Sequence, residues 1–138
     1  MKITPADHWL SMCVKERAEW KCERCGTQYH YPAYGLDCSH YFSRTNKAVR
    51  HEPLNVFSHC RGCHQYLGDN PHIFREWVMN KLGIYNYDTL VEMSNDIMRG
   101  KEARRSLKEI ANHFKGEYER LLELRAEGVQ GRLEFTGY

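Results

Sequence analysis

At 138 residues and a formal net charge of +2, the chain has room for one domain with a modest core, and its charge balance is by itself weak evidence for a nucleic-acid partner. No apolar run of about 18 residues is present to span a membrane, and the opening MKITPADHWL lacks the apolar stretch of a signal peptide, which points to the cytosol. Thiols stay reduced there, so the six cysteines favour metal over disulfides.

In chain order, residues 1–20 are predicted to form an N-terminal helix. Thr4 suits the N-cap, Pro5 the first helical position and Asp7 the first turn. Trp9, Leu10, Cys13, Val14 and Ala18 make one apolar stripe at helical spacing. From 21 to 70 the helical period disappears and Gly, Pro, Asn, Cys and His accumulate. Short strands are predicted within Tyr29–Tyr41 and Asn55–Phe57. Helices return over 71–127. Pro71 opens one carrying Ile73, Phe74, Trp77, Val78 and Leu82, with Gly83 as its stop. Asp88 is predicted to cap a second, bearing Leu90, Val91, Ile97 and Met98. Ser106 and Glu109 form a capping-box pattern for a third. Its stripe of Leu107, Ile110, Ala111, Phe114, Tyr118, Leu121 and Leu122 reads as core or as the seam of a homodimer. Residues 128–138 are expected to fray.

Two C-x-x-C pairs, Cys22/Cys25 and Cys60/Cys63, lie within the middle stretch. Each pair sets two thiolates on one tight turn, and two such knuckles complete a tetrahedral four-sulfur shell that suits Zn2+. A site closed by four protein ligands is structural. Cys13 falls on the apolar stripe and reads as core. Cys38 is either a spare ligand or a buried filler, and His64, directly after Cys63, is an alternative zinc ligand on residue type alone.

Between and beside the knuckles stand His40, Asn55 and His64, the first two 15 residues apart and the last two 9. In this order, inside a doubled C-x-x-C, the sequence resembles the HNH (ββα-metal) nucleases. Asp37-Cys-Ser-His40-Tyr41, the Arg50 to Asn55 segment, Cys60-x-x-Cys63 and Gly68-Asp-Asn70 narrow the resemblance to the NinG (Rap) recombination proteins of lambdoid phages, over roughly Cys22 to Glu127. The resemblance implies that His40 is the general base, that Asn55 orients it, and that His64 binds a catalytic divalent ion, Mg2+ or Mn2+. It implies DNA cleavage to a 5′-phosphate and a 3′-hydroxyl, with branched recombination intermediates as substrate. Neutral imidazole suits the base role near pH 7, and it also suits Zn2+ or Ni2+ as a ligand.

Two positions depart from the common HNH pattern. Ser39 stands where a metal-binding His or Asp often precedes the base, and Gly68 stands where a second helix histidine often follows the first. Asp37 and Asn70 are the candidate substitute ligands, although strand alternation puts Asp37 on the face opposite His40 unless a bulge intervenes. Arg44, Lys47, Arg50 and Arg61 are the candidate DNA-phosphate contacts, with a further basic cluster from Arg99 to Arg105 that, taken alone, reads equally as solvated surface or as a nucleic-acid contact. Tyr41, Phe42 and Phe57 read as packing residues of a small zinc domain, with stacking on unpaired bases as the alternative. His8, His30, His51, His59, His72 and His113 have no motif support and read as surface or packing residues.

The expected architecture is therefore α+β: a treble-clef zinc core holding a ββα-metal site, with flanking N-terminal and C-terminal helices. The expected function is a metal-dependent DNA endonuclease. The alternative is a non-catalytic zinc module that binds DNA or a recombination protein, a reading to which Ser39 and Gly68 lend weight.

Overall fold

The first helix, α1 (Pro5–Arg17), begins at a capping box. The Asp7 carboxylate accepts the Thr4 N–H at 2.7 Å and the Thr4 hydroxyl accepts the Asp7 N–H at 3.4 Å. This computed structural model describes residues 1–138 and is α+β, with six α-helices and one two-stranded antiparallel sheet. α1 stops at Arg17, short of Trp20, because Glu19 and Trp20 take left-handed φ values of 55° and 60° that turn the chain into the first knuckle.

The sheet pairs β1 (Leu36–His40) with β2 (Val56–Cys60), in unbroken register from Leu36 opposite Cys60 to His40 opposite Val56. β1 is shorter than the Tyr29–Tyr41 span expected, and β2 runs on past Phe57 to Cys60. A 3-10 turn, Pro53–Asn55, leads into β2. Cys60 then caps α2 (Arg61–Asp69), and α3 (Pro71–Leu82) ends at Gly83, whose φ of 80° only glycine adopts freely.

Three expectations are corrected in the helical half. Asp88 caps nothing: α4 (Ile84–Ser94) already starts at Ile84, directly after Gly83. The helix then breaks at Asn95–Asp96, and Asp96 caps a separate α5 (Ile97–Arg105) by accepting the Arg99 N–H at 3.1 Å. The Ser106–Glu109 box does not form at the head of α6 (Leu107–Ala126). Ser106 also closes α5, with its own N–H donating back to Glu102 and Ala103, and its side chain makes no cap bond.

The main core lies between α1 and α6, where Ala6, Leu10, Cys13 and Val14 meet Ile110, Ala111, Phe114 and Leu121. The α6 stripe is thus packed against the chain's own first helix, with only Leu107 and Leu122 of its large apolar residues exposed. The tail does not fray. Phe135 is buried against Phe114, with the Arg17 guanidinium 4.9 Å from its ring centroid, and the Thr136 N–H donates to Glu117 at 2.7 Å. A second cluster of Phe57, Leu67, Phe74, Val78 and Tyr87 joins β2 to α2, α3 and α4. No helix is long and apolar enough to cross a membrane.

Candidate active site and metal centre

The four cysteines of the two C-x-x-C pairs converge, with all four sulfurs within 4.8 Å of one another. Each knuckle turns on an N–H···S contact: Cys25 N–H to Cys22 Sγ at 3.5 Å and Cys63 N–H to Cys60 Sγ at 3.4 Å. A tetrahedral ion with metal–sulfur bonds of about 2.3 Å needs sulfurs about 3.8 Å apart, and Cys25 Sγ lies 3.8 Å from Cys60 Sγ. The donor set and spacing fit Zn2+. Hydrogen bonds from Thr27 draw the exposed Cys25 thiol down to about 6, while burial pushes Cys63 up to about 12. A bound dication would override that spread, since thiol ligands bind as thiolates. Cys13 is buried in the main core, with its thiol 3.2 Å from the Phe114 carbonyl. Cys38 packs against the same core and takes no part in the four-sulfur group.

His40 ends β1 and lines a cleft of about 810 Å³. Its Nε2 lies 2.9 Å from the Arg50 carbonyl. A carbonyl only accepts, so Nε2 carries the proton and Nδ1 keeps the lone pair. Burial holds the His40 imidazolium down at about 4, against the acceptor bond from Arg50, which acts in the opposite direction. The ring is therefore neutral at pH 7 and able to take a proton through Nδ1.

The carbonyl that orients His40 belongs to a long loop between the strands, and Asn55 closes that loop. The Asn55 side chain accepts the Phe42 N–H at 2.7 Å and donates to the carbonyls of Phe42 at 2.9 Å and Val49 at 3.0 Å. The amide is fully buried, and three bonds leave it little freedom. Arg17, also buried, braces the same corner by donating to the carbonyls of Pro53 at 3.1 Å and Val56 at 2.6 Å.

His64 sits in the first turn of α2 and also lines the cleft. Its Nδ1 lies 3.1 Å from the Asp37 carboxylate, which also accepts from Arg61 at 3.2 Å. Burial raises the Asp37 pKa, but these two bonds outweigh it and hold the carboxyl below its usual range. Asp37 does not line the cleft. The regular strand register contains no bulge, so Asp37 faces away from His40 as alternation requires. Its place is behind His64, where it fixes the ring with Nδ1–H inward and Nε2 free for the cleft. Ser39 is buried on the same face of β1 as Asp37, away from His40. Asn70 joins α2 to α3 and donates to the Tyr66 carbonyl at 2.8 Å, outside the cleft lining. Gly68 lines the cleft one turn beyond His64, and a Cβ added there would meet nothing within 4 Å.

The four candidate phosphate contacts separate. Arg44 lines the cleft. Lys47 lies further along the loop, toward α5. Arg61 is exposed and paired with Asp37. Arg50 is buried and holds Asp7 through two bonds of 2.9 and 2.6 Å, with a third to the Lys2 carbonyl at 3.0 Å, so its guanidinium is structural. No family model, curated protein or solved structure matches this chain. The residues themselves carry the chemistry of the site. The fifteen residues lining the cleft include His40, His64, His72, Arg44 and Arg75, and no Asp or Glu. His72 and Arg75 have no motif to mark them. The signal in sequence is positional: Pro71 starts α3 directly after α2, and residues at i and i+3 of that first turn share one face.

Proposed function

We propose that this chain is a metal-dependent DNA endonuclease built on a treble-clef zinc core with a ββα-metal site. The observation that carries this reading is the Asn55 clamp, which holds the loop whose Arg50 carbonyl fixes His40 as a neutral base in a cleft with no carboxylate. Such a cleft favours a polyanion. His40 Nδ1 takes a proton from water as the water oxygen bonds to phosphorus. The phosphorus–O3′ bond breaks, leaving a 5′-phosphate and, after protonation, a 3′-hydroxyl. Arg44 and Arg75 offset charge on the phosphate oxygens. A divalent ion held at His64 Nε2 would supply further charge neutralisation at the phosphate and the leaving oxygen.

One imidazole with a carboxylate behind it fits a loosely held ion that keeps its waters and takes substrate oxygens. The nitrogen ligand favours Mn2+ over Mg2+. Asp37 then acts through His64. The resemblance to NinG proteins extends the proposal to branched recombination intermediates.

Plasmid nicking in Mn2+ or Mg2+ tests the reading. Removing a general base costs about 10²–10⁴-fold in rate, so His40→Ala is expected to lose at least about 10²-fold while keeping its zinc. Wild-type protein that never cuts, or a variant that cuts equally well, would overturn the mechanism and leave a zinc module that binds without catalysis.

The open space at Gly68 gives a second, opposite-signed test. Gly68→His places an imidazole one turn from His64 on the same helix face. It is expected to tighten Mn2+ binding about tenfold or more by calorimetry, the scale on which single ligand-sphere groups act. Unchanged affinity would mean that the ion does not sit at His64.

A further inference from the structure

We propose that α5 carries a second phosphate-binding surface, continuous with the cleft, along which the nucleic acid runs beyond the active site; this rests on the nucleic-acid reading above. Lys101, Arg104 and Arg105 are exposed and together line one open concavity of about 360 Å³, with no acidic residue in it. Neither Lys101 nor Arg104 makes an ion pair. Arg105 meets Glu102 at 3.5 Å with both side chains largely in solvent, a contact that contributes little.

α5 buries none of its residues. Arg99 ties it to the loop, donating to the Ala48 carbonyl at 2.7 Å and to Glu52 at 2.6 Å, and Ala103 packs against the main core. The two segments approach closely at Gly100, where a Cβ would lie in ordinary contact, 3.4 Å from the Ala48 nitrogen and 3.7 Å from Lys47 Cβ. The helix is therefore docked on the loop that forms the cleft wall. Ser43, Arg44 and Thr45 line the cleft, and Lys47, two residues on, touches α5. Arg44 and Lys47 thus lead along one segment from the cleft to the point where α5 docks at Gly100, and Lys101 follows Gly100 directly, with Glu102 the one acidic side chain lining the pocket between Lys47 and the helix. Ordinary helix-end electrostatics would account for Arg104 and Arg105 in the last turn. They do not account for Lys101 in the middle or for the shared concavity. The ligand these features fit is a regularly spaced polyanion, the backbone of DNA that already occupies the cleft.

The test is fluorescence anisotropy of a labelled duplex against the full chain at a series of KCl concentrations, without added divalent ion so that nothing is cut. Each phosphate contact contributes about 0.9 to the slope of log K against log salt. A Lys101→Ala/Arg104→Ala/Arg105→Ala variant is expected to lose about 2 to 3 from that slope and to bind at least about tenfold more weakly at low salt. Its circular dichroism and thermal midpoint should match the wild type, because the three side chains face solvent. A slope equal to the wild type's overturns the α5 inference and leaves the cleft reading standing. So does a slope that falls only in Arg44→Ala/Arg75→Ala, which removes cleft cations alone. Wild-type protein with no DNA affinity overturns both readings. Retention on phosphatidylserine vesicles, lost in the triple variant while DNA affinity is kept, would assign α5 to a lipid surface and sink the inference.

Discussion

Cys60→Ser is expected to be unfolded at ambient temperature. A structural zinc site of this kind contributes about 10–16 kcal/mol of apparent binding free energy near pH 7, which matches or exceeds the 5–15 kcal/mol by which a typical domain is stable. This chain has little to set against that loss. Only 32 of its 138 residues are buried, and the cluster around the knuckles is Cys22, Cys63, Ala33 and Leu36, half of it thiol. Cys60 also does three local jobs. It ends β2 opposite Leu36, it caps α2 by accepting the Cys63 N–H at 3.4 Å, and it belongs to the four-sulfur group. Serine keeps a capping oxygen but is not a thiolate ligand, so the variant isolates the metal term from the cap. Circular dichroism with metal analysis should show a zinc-free, unfolded protein, and a chelator should bring wild type to the same state. A folded Cys60→Ser without zinc would show that the core suffices and that the quartet is dispensable.

What was legible in the sequence is what is local. Thr4, Pro5 and Asp7 specify the α1 start within a single turn, and each C-x-x-C specifies its own knuckle. Gly83 ends α3 because one backbone angle demands it. Strand alternation placed Asp37 on the face away from His40, and the regular register keeps it there. Nothing in the linear pattern shows that α2 brings His64 round to meet that face. Arg50 was misread for the same reason. A cation near a candidate site reads as a phosphate contact until its partner is known, and its partner, Asp7, lies 43 residues away. The tail was misread because Leu133 and Phe135 carry no helical period and find their cover on α1 and α6. The break at Asn95–Asp96 is a local signal that the apolar residues on either side of it masked.

Asp7→Asn is expected to cost about 3–5 kcal/mol, the usual price of leaving one member of a buried ion pair alone. Asp7 and Arg50 expose only 4% and 9% of their side chains, and Asp7 also accepts from His51 at 3.0 Å. Burial opposes ionisation of Asp7, yet hydrogen bonds from His51, Arg50 and Thr4 outweigh it and hold the carboxyl far below the ordinary carboxylate range. The sign of the pH effect follows. The unfolded chain takes up a proton at Asp7 near pH 3.9 while the folded one does not, so this stabilisation is complete above about pH 5 and declines as pH falls below it. The gap in thermal midpoint between wild type and Asp7→Asn should therefore be widest near neutrality and narrow in acid. Function should fall further than stability alone predicts, because Arg50 is the residue whose carbonyl holds His40, and a loosened Arg50 frees the base to rotate. Cleavage measured well below the variant's melting point separates the two effects. A double variant, Asp7→Asn/Arg50→Met, removes the stranded charge and is expected to recover a large part of the midpoint. If Asp7→Asn melts with the wild type, the ion pair contributes nothing net, and the positioning of His40 must come from Asn55 alone.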